Sequence, residues 1–121
     1  SMIQQKTVNV RGTDYMLTHL PATKGVRTLK QLGKLVGPAI GSYQSAGIPA
    51  AIAVLFDNIE AVDVETLIKE LVGTASKGSM GINFDMEFAG QYDKLMLLVQ
   101  EIVEFNFGSV FTLLGSEESR L

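Results

Sequence analysis

Cysteine and tryptophan are absent from this chain, and histidine occurs once, at His19. Without thiols there are no disulfides, no thiolate nucleophile and no cysteine-ligated zinc or iron–sulfur centre. Such a composition suits a reducing cytoplasm. Charge is thin too, at 19% of residues, and from Leu35 to Phe56 no side chain carries a formal charge. A run of that length would admit a membrane span. Gly37, Pro38, Gly41, Ser42, Gln44, Ser45, Gly47 and Pro49 break it up, however, so two short buried pieces are expected instead. The opening SMIQQKTVNV is polar and lacks the apolar segment of a signal peptide.

What is present describes a globular chain. At 121 residues and 46% hydrophobic content, a single domain spanning 1–121 is expected, large enough to fold without staples. Ser1 ahead of Met2 reads as a tag remnant, and residues 116–121 as a frayed tail. The net charge of −3 is unevenly spread: residues 1–34 carry six bases and one acid, residues 35–121 twelve acids and four bases. This polarity suits either attraction within the fold or between subunits, or an acidic or nucleic-acid partner. The acidic total favours attraction over nucleic-acid binding.

Lys6–Val10 and Tyr15–Leu20 are short runs of β-branched and aromatic residues, with Arg11-Gly12-Thr13-Asp14 between them, which predicts an N-terminal hairpin. Alternation in YMLTHL leaves its buried face undecided. Thr23 is the expected N-cap of a helix with Val26, Leu29, Leu32, Leu35 and Val36 inward and Gly37-Pro38 at its end. Lys24, Arg27, Lys30 and Lys34 make its outer side basic. A membrane-surface helix has this pattern, but the segment is short and lacks tryptophan, which favours a docked helix. PAAIAVLF is expected to be helical, with Ile52, Leu55, Phe56 and Ile59 inward; the conformation of 37–48 is left open. Asp63 is the N-cap of the next helix, Val62 and Leu67 its hydrophobic staple, Val64, Leu67, Ile68, Leu71 and Val72 its buried face, and Gly73 its stop. TASKGSMG reads as a polar surface loop.

The stretch Ile82–Phe111 holds five of the six phenylalanines and supplies the expected centre of the fold. On a helix, Tyr92, Met96, Val99 and Val103 form one stripe and Leu95, Leu98, Ile102 and Phe105 another. Asp93, Lys94, Glu101 and Glu104 fall opposite. The fold class expected is mainly α within α+β: a hairpin, then a compact bundle of four or five helices around the long C-terminal one.

No catalytic constellation emerges. His19 has only Asp14 and Tyr15 near it in sequence, where a general base needs an orienting acid and a nucleophile in space. Asp57, Glu60, Asp63 and Glu65 lack the glycine-enabled turn of a hard-cation loop. No phosphate-binding glycine motif is present, and the basic helix lacks the aromatics of a nucleic-acid platform. No cofactor, metal, membrane or nucleic acid is therefore expected. By elimination EFNFGSVF stands out, because Phe105, Phe107 and Phe111 cannot share one helical stripe. Core packing accounts for most of it, and the rest suits a protein-binding surface.

Taken in order, HLPATKGVRTLKQLGKLVGP, a helix ending in KELV, a polar loop, FDMEFAG, a long apolar helix and the terminal EFNFGSVF resemble the tail assembly chaperones of long-tailed bacteriophages and prophages. The resemblance runs from about Val8 to Phe111. It implies a mostly helical, non-enzymatic protein of the host cell cytoplasm, absent from the mature virion. Its implied partners are the tape measure protein, which it keeps soluble, the tail tube protein, and a frameshifted longer form of itself; a chain ending in GSEESRL corresponds to the short form. On this reading Lys24, Arg27, Lys30, Phe105, Phe107 and Phe111 are the candidate partner contacts, and the charge polarity suits head-to-tail self-association. The rival reading is a structural virion component, a tail connector or completion protein.

Overall fold

A computed structural model describes residues 5–47, 50, 53, 54, 57 and 59–119, with the side chains of 39–43, 61, 111, 112 and 114–119 outside that description. The fold is α+β and mainly helical, with an N-terminal hairpin and a long C-terminal helix. It divides into two units, residues 1–20 with 69–121, and residues 21–68.

The first unit starts with strands β1 (Gln5–Val10) and β2 (Thr13–Thr18), paired antiparallel with Val8 opposite Tyr15 and Val10 opposite Thr13. Only Arg11 and Gly12 separate them. Both have positive φ, 50° and 89°, as a type I′ turn requires to match the strand twist. Asn9 locks the turn, donating to Asp14 at 2.8 Å and accepting from the Gly12 N–H at 3.2 Å. This register resolves the open question of the second strand. Tyr15 and Leu17 join Val8 and Val10 on the buried face, while Asp14 and Thr18 point to solvent.

The sheet is larger than a hairpin. Ala75–Lys77 (β3) and Met80–Gly81 (β4) extend it to four strands in the order β1-β2-β3-β4. The expected TASKGSMG loop is thus a strand pair, with Gly78 at φ 63° in its turn. Polar composition hid it because β3 buries only Ala75, opposite Leu17, and is held by backbone pairing rather than apolar alternation. The Thr18 N–H adds a bond to the Thr74 carbonyl at 3.1 Å.

Two helices complete this unit. Asn83 caps α3 (Phe84–Phe88), its side chain accepting from the Met86 N–H. Phe88 is buried and meets the edge of the Phe84 ring at 5.4 Å between centroids. The long helix α4 (Tyr92–Ser119) lies against β1 and α3. Leu95, Leu98 and Ile102 form its buried stripe, Leu98 and Ile102 with no exposure at all, and Phe107 is buried on another side. Each such side chain contributes roughly 1.5–3 kcal/mol through burial. The other expected stripe faces water at its start: Tyr92 is 68% and Met96 54% exposed. Lys94, assigned by periodicity to the outer side, is buried. Gly108 does not interrupt the helix, and helical backbone continues to Ser119, past the start of the expected frayed tail. One glycine costs a helix only about 1 kcal/mol, and neither serine nor glutamate stops one.

In the second unit, α1 (Ala22–Ala46) is a single helix of 25 residues. It starts one residue before the expected Thr23 cap, with the Pro21 carbonyl accepting the Gly25 N–H at 2.8 Å. Nor does Gly37-Pro38 end it. Proline removes one backbone donor and crowds one carbonyl, while the apolar spacing of Leu32, Leu35 and Val36 runs on in the sequence through Ala39 and Ile40. Val26, expected inside, is 69% exposed, and Thr28 is buried instead. Positions 50, 53, 54 and 57 are helical, but Ile52, Leu55 and Phe56 lie outside the described residues. Ile59 opens a 3-10 turn, Ile59–Ala61, and is 41% exposed rather than inward.

The division between units falls inside α2 (Val64–Val72). Its start is as expected: Asp63 accepts from the Thr66 N–H at 3.0 Å and the Thr66 hydroxyl at 2.8 Å, which holds its carboxyl below the usual range. Val62, Leu67, Leu71 and Val72 are buried. The helix ends at Gly73, whose N–H still reaches the Lys69 carbonyl at 2.9 Å.

If α1 is continuous, Pro38→Ala restores a missing backbone bond and is expected to raise stability by about 1–3 kcal/mol. Thermal unfolding followed by far-UV ellipticity checks this. Unchanged or lower stability, without gain of helix, contradicts a helix running through Pro38.

Candidate functional site

Glu87, on the last turn of α3, gathers three side-chain donors in the first unit. Its Oε2 accepts from the Tyr15 hydroxyl at 2.6 Å and from Lys94 Nζ at 3.2 Å, and its Oε1 from Lys77 Nζ at 3.1 Å. One carboxylate thereby joins β2, β3, α3 and α4. Burial works to raise its pKa, but the hydrogen bonds from Tyr15, Lys77 and Lys94 outweigh it and hold the group below the ordinary carboxylate range. Burial, then the bond to Glu87 and its negative charge, push the Tyr15 phenol far up. Lys94 Nζ also sits 5.7 Å from the centre of the Tyr15 ring. A carboxylate taking three donors is a structural clamp, not a base poised to take a proton. Sequence reasoning missed it because Tyr15 and Glu87 are 72 residues apart. The one readable signal was a glutamate on the short apolar helix FDMEF.

His19 is half-buried, and its ring stacks on Phe105 at 4.0 Å between centroids and 9° between planes. Beside it Asn106 accepts from the Leu20 N–H at 2.9 Å and donates to the Ile102 carbonyl at 2.9 Å, tying the end of β2 to α4. Of the candidate contacts, Phe105 is thus half-buried and Phe107 is 6% exposed, while the Phe111 side chain lies outside the described residues. Lys24, Arg27 and Lys30 are exposed on α1. The aromatics belong to α4 in the first unit and the bases to α1 in the second.

Other exposed features were not singled out by sequence. Met86 is 78% exposed on α3, and Tyr92 and Met96 are exposed on α4. An open cleft of about 110 Å³ between α3 and the start of α4 is lined by Phe84, Asp85, Phe88, Ala89, Tyr92 and Leu95. A larger recess of about 320 Å³ lies along Val72, Ala75, Ile82 and Phe84, with Lys69 Nζ 5.7 Å from the Phe84 ring centre. Among the described residues no group of histidine and carboxylate side chains is arranged to hold a metal ion, and no helix is long and apolar enough to cross a membrane.

These observations define a small α+β protein with a part-buried carboxylate clamp and exposed apolar side chains on its helices. The family model described as phage tail assembly chaperone protein, TAC, matches residues 11–117, and the chain belongs to that family. No curated protein and no solved structure matches it.

The Glu87 clamp has a measurable signature. Glu87→Gln is expected to cost about 1–3 kcal/mol, as weakening the hydrogen bonds of a part-buried charged group does, against little change for the exposed Asp85→Asn. Because the native pKa of Glu87 is depressed, its contribution is complete above the unfolded carboxylate value of about 4.3 and fades as pH falls through the lower native value. Denaturant titrations between about pH 3 and 7 check both; a Glu87→Gln variant as stable as wild type at neutral pH contradicts the clamp.

Proposed function

We propose that this chaperone binds the tape measure protein of its phage, keeps it soluble during tail assembly and helps bring tail tube subunits to it. It acts without catalysis in the host cytoplasm and leaves before the virion matures. The observation that carries this reading is the family match across residues 11–117. The surface supports it physically. A long helical client needs many weak, repeated apolar contacts, and methionines supply them with little demand on partner shape. Met80, Met86, Met96 and Leu113 are all more than half exposed.

The proposed partner contacts remain Lys24, Arg27 and Lys30 on α1 and the aromatic end of α4, Phe105, Phe107 and Phe111. Phe107 is buried, so its truncation registers first as lost stability, about 3–5 kcal/mol. Phe105 and the three bases test contact more cleanly. A frameshifted longer form of this chain and the tail tube protein are the further partners proposed.

Co-expression provides the test. The tape measure protein is expected in the soluble fraction only when this chain is made with it. The triple variant Lys24→Glu, Arg27→Glu, Lys30→Glu is expected to recover less of it while keeping its helical spectrum. Tape measure protein that is equally insoluble with and without the chain contradicts the proposal.

A further inference from the structure

We propose that the outer edge of β4, with the recess that Gly81 helps to line, is a docking site for an extended segment of another protein that carries a large apolar residue and a carboxylate. Three observations on the first unit converge there. The strand order β1-β2-β3-β4 leaves β4 at the end of the sheet, with no strand beyond it among the described residues. Gly78 and Ser79 make a two-residue turn between the paired Lys77 and Met80, and of the two only Gly78 has positive φ, as in a type II′ hairpin. The residues closing such a turn bond each other. The N–H and carbonyl of the next position, Gly81, therefore point away from β3, toward the open edge. Apart from its shortness this edge is not blunted: Met80, Gly81 and Ile82 include no charge and no proline.

Gly81 also belongs to the recess of about 320 Å³, whose walls are Val72, Ala75, Ile82 and Phe84. Val72 and Ala75 are buried and Ile82 and Phe84 half-buried, so the walls are apolar and held by the core. The volume is near the lower bound of ligand sites, about 300 Å³, which suits one large side chain. A Cβ on Gly81 would meet nothing within 4 Å, so this position leaves the recess open. Lys69 supplies the charge of the lining, exposed and with Nζ 5.7 Å from the Phe84 ring centre.

Each feature selects a property of the occupant. Outward backbone groups pair with an extended chain, not with a helix, whose own groups are bonded internally. The recess takes an apolar side chain, and Lys69 favours a carboxylate. Side chains two positions apart on a strand share a face, so the apolar and acidic residues stand at i and i+2. Such a site grips a stretch of partner that has not folded and covers its exposed backbone, a contact of a different kind from the helical ones proposed above. It does not depend on the tape-measure reading, since any protein presenting such a segment serves.

Heteronuclear NMR on the full-length chain tests it, with the heptapeptide acetyl-TTLTETT-amide as probe. Binding is expected to saturate with a Kd below about 1 mM, with the largest amide shifts at Gly81 and Ile82. Replacing the peptide's leucine by alanine is expected to weaken binding by about tenfold. The lysine peptide acetyl-TTLTKTT-amide is expected to bind about threefold more weakly. Lys69→Glu, at an exposed position, is expected to keep the far-UV spectrum and reverse that preference. Methylating the peptide's amide nitrogens one at a time is expected to abolish binding at alternate positions only, as strand addition requires. No saturable shift at Gly81 up to about 5 mM peptide, an affinity indifferent to the leucine, an unchanged preference in Lys69→Glu, or methyl effects without alternation would each overturn the proposal. So would shifts centred on Met86 and Met96, which would put the peptide on the helices instead.

Discussion

Glu87 is the group on which the first unit depends. Apolar burial brings strands and helices together without fixing their mutual register, because it is non-directional. A carboxylate held by a phenol and two ammonium groups is directional. It sets where α3 stands over β2 and β3, and where α4 begins relative to both. The four-stranded sheet supplies the platform, since Leu17 and Ala75 pair across β2 and β3 on the face that also buries Tyr15. Around this clamp Leu98 and Ile102 close the core, and Asn106 ties down the end of β2.

Fixing α3 and α4 so firmly also fixes what they leave outside. Met86, Tyr92 and Met96 occupy helical positions whose neighbours, Glu87, Phe88 and Leu95, are turned inward. For a tail assembly chaperone this division makes sense. Large, adaptable side chains held in the open suit reversible contacts with another chain.

Much of this was readable in the sequence, for identifiable reasons. The hairpin, the Asp63 cap and the Leu95–Leu98–Ile102 stripe each depend on local rules: a glycine at a tight turn, a capping side chain, a helical period. The family was legible from the order of its segments. What was hidden involves either distance or compensation. Tyr15, Lys77, Glu87 and Lys94 look like ordinary surface residues until the fold assembles them. Strands β3 and β4 carry almost no apolar pattern and owe their existence to backbone pairing, β3 with β2 and β4 with β3. Helix α1 passes Gly37-Pro38 because one lost hydrogen bond does not outweigh the turns on either side. Lys94 shows the limit of helical periodicity: it marks which residues share a side, but not that a charged one will be buried with a partner.

A chaperone differs from a tail component in one physical respect, which is that its contacts must be weak enough to be given up. Quantitative mass spectrometry of purified mature phage particles reads this directly. If the chain is released once the tube has formed around the tape measure protein, it is abundant in lysates of infected cells and missing from finished tails. A fixed, whole number of copies in every mature tail would make it a structural connector and contradict the chaperone role proposed above.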